Sequence, residues 1–380
     1  MRTKVLYLIG AILLCVGCND SSRTPADGEV YKVDLDEAVN PFDNIFSRAE
    51  IIPLETVDSS FISWMRKIYP IDENLYIYDY WLQNLNVFDH KGNFIRRVGK
   101  RGQGPGEYRN MYDCYIDAAD EKTYLLDVNG YIKQYHTDGT FECDIFLPVR
   151  PHYYSMSLLD EKHLVTWSCV NAEDGGGILI IDKETGDSIQ SCWYDEVMFN
   201  IQQMFPFYRY ADKTFFSTAL RQQTYELTPK GLQPAYSWDF GKYNISKSTL
   251  EHYLAIEDVN ERNESILNDC GTDRLPFHLQ IQRQNERYAY LALKRYAMSS
   301  RAPYTYVFYD KRQGKGYAFD ELADGCRMNA PLYFGEDYML TDVVYEEREQ
   351  YQSVLPESEY KKLEDMKEDD NPCLLKLYFK

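Results

Sequence analysis

The chain has 380 residues, 44% of them hydrophobic, with 34 tyrosines, 18 phenylalanines and a formal net charge of -19 at pH 7. That apolar content supports a large core and excludes global disorder, and the acidic balance excludes DNA or RNA as a general partner, because phosphate binding needs a basic field. The aromatic surplus favours strands, where such side chains fit a pleated surface.

In chain order, Arg2 and Lys4 precede an apolar run, Val5 to Leu14. About ten apolar residues fall short of the roughly 20 that a membrane-spanning helix needs, so residues 1–17 read as an export signal. The segment ends Leu14-Cys15-Val16-Gly17-Cys18. A small residue before a cysteine resembles the lipobox of bacterial lipoproteins, with Cys15 standing where leucine is usual. The resemblance implies cleavage after residue 17, acylation of Cys18 and a lipid-anchored address on the outer membrane, on its periplasmic or its surface side. Cleavage nearby to give a soluble secreted protein is the alternative. Losing Arg2 and Lys4 takes the formal charge from -19 to -21. Residues 18–29 are mostly small and polar and read as a tether. Cys15 and Cys18 spell C-x-x-C, but no second pair follows and a zinc or redox site is not implied. The other seven cysteines are scattered and read as small buried apolar residues.

Two strand patterns follow, Val30 to Leu35 and Glu50 to Glu55. Then an internal repeat begins. Trp64 to Gly99 holds four short strand patterns, the third closing on Asp89-His-Lys-Gly92. Tyr112 to Pro148, His152 to Trp193 and Phe205 to Phe240 repeat the arrangement. The turn glycines Gly92, Gly139, Gly186 and Gly231 are separated by about 47, 47 and 45 residues, the period of four-stranded propeller blades. A fifth turn at Asp310 to Gly314 comes about 83 residues later, leaving an insertion of roughly 38 once one period is removed. Ser246 to Asn268 has helical spacing, with Ser248 and Glu251 as a capping box, and places a helical insertion at about 246–270 between blades four and five. The fifth blade runs from about Phe277 to Leu322, and a sixth starts at Pro331 and resumes at Cys373 after a charged stretch, Glu346 to Asp370, read as a helix with a solvated face. The sixth blade lacks a strand, and the strand at Ile51 to Leu54 lacks a blade. Pairing the two closes the ring and removes an exposed edge. The expected fold over residues 30–380 is therefore all-β, a six-bladed β-propeller whose N-terminal strand completes the last blade.

Two stretches carry a family resemblance: Gly99-Lys-Arg-Gly-Gln-Gly-Pro-Gly-Glu-Tyr108 after the turn Phe88 to Phe94, and the ending Asp370-Asn-Pro-Cys-Leu-Leu-Lys-Leu-Tyr378. With them the chain resembles the six-bladed β-propeller lipoproteins of gut and related Gram-negative bacteria, and more distantly the NHL-repeat propellers. The resemblance implies a fold and an address and supplies no reaction.

The glycines at 102, 104 and 106 lack the Gly-x-x-x-x-Gly-Lys spacing of a phosphate loop and read as a blade junction. Arg96, Arg97, Lys100, Arg101 and Arg109 gather there. They either offset Glu107, Asp113 and Asp117 or receive an anionic ligand such as an acidic sugar. Arg101 and Arg109, flanking the junction, are the candidate ligand-binding residues. The six histidines show no metal-ligand spacing, and neither a Gly-x-Ser-x-Gly elbow nor a His-Glu-x-x-His helix occurs. Asp79, Asp89, Asp127 and Asp310 end strands and read as turn caps. Trp64, Trp81, Trp167, Trp193 and Trp238 read as inter-blade packing or as stacking surfaces for sugar rings. No catalytic residue, metal or cofactor is assigned.

The resulting functional reading is a non-enzymatic binding or scaffold propeller of the cell envelope, with a glycan, peptide or neighbouring envelope protein as ligand. The rival is a metal-dependent lactonase or lyase propeller. Three or more Asp, Glu, Asn or His side chains meeting in the central channel would favour the enzyme. An aromatic, arginine-bearing mouth would favour the binding module.

Overall fold

A computed structural model describes residues 28–37, 39–147, 153–168, 177–192, 205–294 and 304–380. Cys18, the export signal and most of the tether, with His152, Cys169 and Trp193, lie outside the described residues. Six sheets surround one axis, four of them sequential antiparallel meanders and the other two, blades four and six, each joined by a strand from the N-terminal segment. Blade one consists of Met65–Ile71, Asn74–Asp79, Asn84–Asp89 and Phe94–Val98. The inner strands of blades two to five are Met111–Asp117, Ser155–Leu158, Phe207–Tyr210 and His278–Gln284. The second strand of each blade is buried on both faces, as in Asn74–Asp79 and Tyr288–Lys294, because neighbouring blades cover it on either side. The outer strand Phe94–Val98 alternates, with one face toward water. The core is thus a set of inter-blade layers. In the layer between blades five and six, Phe46 stacks on Phe379 (5.9 Å) and meets Phe308 edge-on (5.8 Å).

Blade six confirms the ring closure. Its order from the axis is Tyr333–Phe334, Tyr338–Val343, Cys373–Phe379 and then Phe46–Ile52. Ile51 pairs with Leu375 and Ile52 with Leu374, while Leu54 lies beyond the strand. The helix Glu357–Glu364 guards the free edge of this outer strand. Glu359 accepts a hydrogen bond from Ile51 N (2.7 Å), and Lys362 Nζ donates to Ile51 O (3.0 Å). The stretch read as a solvated helical face is in fact amphipathic, since Tyr351, Leu355, Leu363 and Met366 are buried against blade six. Its apolar residues are too widely spaced among charges to stand out by composition.

Two further features depart from expectation. The strand Glu29–Lys32 pairs in parallel with the outer strand Gly231–Asp239 and makes blade four five-stranded. Tyr31 there stacks on Tyr309 of blade five (4.5 Å) and leans on Tyr236 of blade four (4.7 Å). The insertion between blades four and five holds two helices, Lys247–Leu254 and Val259–Asp269, and the first is capped by Ser246, which accepts from Thr249 N (3.1 Å), rather than by Ser248.

The turns explain the repeat. Asp89 accepts from Lys91 N (2.8 Å) and Asn93 N (2.9 Å), with Gly92 at φ +92°. A Cβ on Gly92 would stand 1.9 Å from Pro53 O, so both backbone angle and space require glycine. The glycine-rich junction is structural too. Lys100–Arg101 and Glu107–Tyr108 form a short parallel ladder, and Tyr135 of blade two donates to Gly106 O (2.7 Å). Among the described cysteines, Cys114, Cys270, Cys326 and Cys373 are buried and unbonded to one another. Burial pushes the Cys326 and Cys373 thiols up to about 12, which makes them poor nucleophiles.

Candidate functional site

The site is built where the first strands of the blades begin and the second strands end. Asp79 sets it up. Its buried carboxylate accepts from Trp64 N (3.0 Å) in the lead-in to blade one and from Leu82 N (2.7 Å) in the turn after the second strand. One side chain therefore pins the two segments that carry Trp64 and Trp81. Asp127 repeats the device in blade two, accepting from Arg109 N (2.7 Å) and Asn129 N (2.9 Å). With Asp89 and Asp310, both aspartates are turn caps as their positions implied.

The tryptophans divide into two kinds. Trp167 and Trp238 are buried between blades, whereas Trp81 is 61% and Trp64 37% exposed. Their ring centroids are 5.5 Å apart and both lie within 6 Å of Tyr80. They form one wall of a cavity of about 390 Å³ at the mouth of the axis, with Phe205, Tyr304, Arg66, Asp342 and Glu347 among the other walls. Arg66 is 3% exposed, its guanidinium 4.7 Å from the Tyr80 ring centre and 5.6 Å from that of Phe205. The Asp342 carboxyl is pushed up to about 6, by burial first, against a hydrogen bond from its own backbone and with help from the Glu347 charge. Asn329 Nδ2 binds Glu347 (3.0 Å) and the Asp342 carbonyl (3.3 Å).

Below the mouth, every blade contributes to a narrow shaft of about 190 Å³, which shares Leu332 with the mouth. Its walls carry three cations, Lys67, Arg209 and Arg283, and tyrosines from blades one, two, four and six. Lys67 is paired with Asp113 (2.7 Å), and Arg209 donates to the carbonyls of Leu158 (3.1 Å) and Leu159 (2.9 Å). Arg283 donates to Gln282 O (2.7 Å) and faces the Phe205 ring at 5.6 Å. Burial lowers the Arg283 pKa from its usual value. Burial raises those of Tyr69 and Tyr208 well above theirs, so these hydroxyls stay protonated.

Arg101 and Arg109 cross the same face, since blade one's outer strand ends and blade two's inner strand begins there, but neither lines the cavity. Arg101 Nε donates to Arg109 O (3.0 Å) and Nη2 to Asn110 (3.0 Å), and Arg109 is exposed. The neighbouring acids find other partners. Asp113 takes Lys67, Asp117 takes Lys183 (3.2 Å), and Glu107 alone meets a junction cation, Lys100, at 3.4 Å. The axial cations escaped sequence reading because they lie in different blades. Aligning the blades on their inner strands would have shown Lys67, Asp113, Ser157 and Arg209 at the third position of each.

A larger hollow of about 580 Å³ lies at the rim beside the N-terminal segment and blade five. Asp36, Glu37, Asp320, Glu321 and Asp324 crowd it, and Arg327 there is paired with Glu321 (3.1 Å). Lacking exposed aromatics and convergence of blades, it is the weaker candidate. Among the described residues, no group of three or more His, Cys, Asp or Glu is placed to hold a metal ion, and no helix is long and apolar enough to cross a membrane.

Residues 30–378 match a sequence family described as a domain of unknown function, DUF4934. Two solved structures are similar. One is a protein described as exported, from Bacteroides fragilis, with a TM-score of 0.73 at 18% identity, covering 92% of this chain and 99% of that one. The other is a DUF4221 family member from Bacteroides vulgatus, with a TM-score of 0.55 at 9% identity, covering 89% of this chain and 98% of that one. At these identities the likeness is one of fold. No curated protein matches the sequence.

Proposed function

The chain belongs to the DUF4934 family, and from that premise we propose that it is an exported, non-enzymatic binding propeller that holds a saccharide at the mouth of its axis. The observation that carries this reading is the pair Trp64 and Trp81, exposed on the wall of a concave site with Arg66 beside them. Two large apolar rings left in water on a cavity wall mark a contact surface, and flat aromatic faces next to a hydrogen-bonding guanidinium suit the apolar faces and hydroxyls of a sugar. Arg101 and Arg109, on the same face, extend that surface toward blade two for a longer ligand. The test is a saccharide and envelope-extract binding screen with the wild-type chain and the Trp64→Ala/Trp81→Ala double variant. Capture of a saccharide by the wild type and its loss in the variant is the expected result. Equal capture by both, or capture of protein alone, defeats the saccharide reading.

The address is part of the same proposal. Residues 1–17 are an export signal, Cys18 carries the lipid, residues 18–29 tether the propeller and the protein sits on the outer membrane. The similarity to an exported Bacteroides protein supports export, and the Gly17-Cys18 junction supports the anchor. Cys18→Ala should abolish labelling by a radioactive fatty acid. Retained labelling moves the anchor elsewhere.

A second reading rests on Asp342. A carboxyl held near 6 in a cleft, next to Glu347, is suited to proton transfer. If the protein is a saccharide-cleaving enzyme, bound oligosaccharide is shortened by the wild type and recovered intact from Asp342→Asn. Intact recovery from both leaves the binding module.

A further inference from the structure

We propose that the axial shaft receives an anionic substituent, a carboxylate or a sulfate ester, on the saccharide held at the mouth, and that Arg283 is the residue that reads it. This rests on the saccharide reading above and names the ligand's chemical class. The shaft is an electrostatic exception in the molecule. The chain carries a formal -19, yet the shaft's lining includes Lys67, Arg209 and Arg283 and, among the described residues, no carboxylate.

The three cations are not equivalent. The Lys67 charge is met by Asp113 at 2.7 Å. Arg209 is spent on the Leu158 and Leu159 carbonyls and on Thr214 (3.2 Å), with Asp212 at 3.9 Å. Arg283 has no carboxylate partner among the described residues. Of its five N–H donors, one is used among the described residues, on Gln282 O. A part-buried guanidinium with open donors facing the shaft is poised for an acceptor there, and a bidentate oxyanion satisfies it best. Two of the hydroxyls beside it are already engaged. Tyr69 donates to Cys114 O (2.8 Å), and Tyr208 is bonded to Tyr236 (2.7 Å).

The route in is also cationic. The Phe205 ring stands between mouth and shaft with Arg66 and Arg283 each 5.6 Å from its centre. A ligand stacked on Trp64 and Trp81 therefore has one guanidinium at its side and a second beyond the phenyl ring. Its sugar faces are held at the mouth and its charge is held in the shaft.

The test uses the full chain purified in detergent and calorimetric titration with three probes: a galacturonate oligosaccharide, a sulfated galactose oligosaccharide and their neutral galactose counterpart. The wild type should bind at least one acidic probe about tenfold or more tightly than the neutral one, as a charge-assisted contact implies. Arg283→Gln should abolish that preference by weakening the acidic probes about tenfold more than the neutral one, and Arg283→Lys should restore part of it. Which acidic probe is preferred separates carboxylate from sulfate. An acidic preference that survives intact in Arg283→Gln overturns the proposal, as does equal wild-type affinity for all three. If no saccharide binds, the saccharide reading has failed on its own, and thermal unfolding in sodium sulfate against sodium chloride decides the shaft. A larger stabilisation by sulfate in the wild type than in Arg283→Gln supports it, since sulfate stabilises both by exclusion, and equal stabilisation ends it. Should Arg283→Gln fail to fold, Ser157→Glu places a carboxylate on the shaft wall and must remove the same preference.

Discussion

Lys67 of blade one and Asp113 of blade two form an ion pair at 2.7 Å with the carboxylate fully buried. Asp113 also accepts from Ser155 Oγ (3.1 Å) and Met156 N (2.8 Å), so one side chain joins the inner strands of three blades. Asp113→Ala strands a nearly buried ammonium and two donors, and should cost about 3 kcal/mol in urea unfolding. Lys67→Met in the same chain should recover part of that loss. A single-variant cost under about 1 kcal/mol would mean that the pair behaves as a solvated one.

Two titrating groups oppose each other in acid. Burial raises the Asp342 carboxyl from 3.8 to about 6, so the folded state holds a proton that the unfolded state has released, and this contribution to stability grows as pH falls from 6 toward 4. Burial, reinforced by Lys294, lowers His278 from 6.5 to about 4, so over nearly the same window the unfolded state binds the proton and stability declines on acidification. In the wild type these two contributions to the pH dependence of Tm between 6 and 4 largely offset each other, leaving the loss from carboxylates held low, such as Asp182 and Glu359. Asp342→Asn should make Tm fall more steeply in acid and should raise it at pH 7. His278→Gln should lose less stability than the wild type as the pH drops to 4. Identical slopes in all three proteins would dismiss both shifts.

Trp81 contributes little to the core, being 61% exposed. Trp81→Ala should leave the unfolding free energy within about 0.5 kcal/mol of wild type while weakening saccharide binding. Asp79→Asn makes a sharper control. It leaves both tryptophans in place and loosens the two segments that Asp79 pins, so affinity should fall without any loss of ring surface. Unchanged affinity in Asp79→Asn means that the rings need no such positioning.

Glu359 and Lys362 occupy the open edge of the outer strand at Ile51. Their removal exposes backbone donors and acceptors that another chain can pair with. Glu359→Ala/Lys362→Ala should unfold about 1 kcal/mol more easily and form aggregates with a strand signature in infrared spectra. Monodisperse behaviour at high concentration would show that the edge needs no guard.

The repeat was legible because each blade reuses one turn. Gly92, Gly139, Gly186, Gly231 and Gly314 all have positive φ, a backbone demand that few other residues meet, and their spacing revealed the blades. Ring closure was legible by elimination, as a strand without a blade and a blade without a strand. The attachment of Glu29–Lys32 to blade four was not, because parallel pairing across about 200 residues leaves no local pattern. The site was half legible. Trp64 and Trp81 were visible as residues, but their exposure depends on which segments Asp79 brings together. Arg66 and Arg283 are unremarkable in their own strands and acquire meaning only where six inner strands converge.

The clasp of Phe46–Ile52 onto Cys373–Phe379 also has a consequence in time. Ser47 bonds to the carbonyl of Phe379 across 332 residues of sequence. During synthesis the clasp's first half emerges long before its second. Blades one to five can assemble as the chain appears, but the ring stays an open horseshoe until Cys373–Phe379 arrives, and the sequence-distant step is the slow one. A chain that stops short of Cys373 leaves blade six without two of its four strands. Closure of the ring therefore waits on a single strand, Cys373–Phe379, which pairs with Tyr338–Val343 on one side and Phe46–Ile52 on the other.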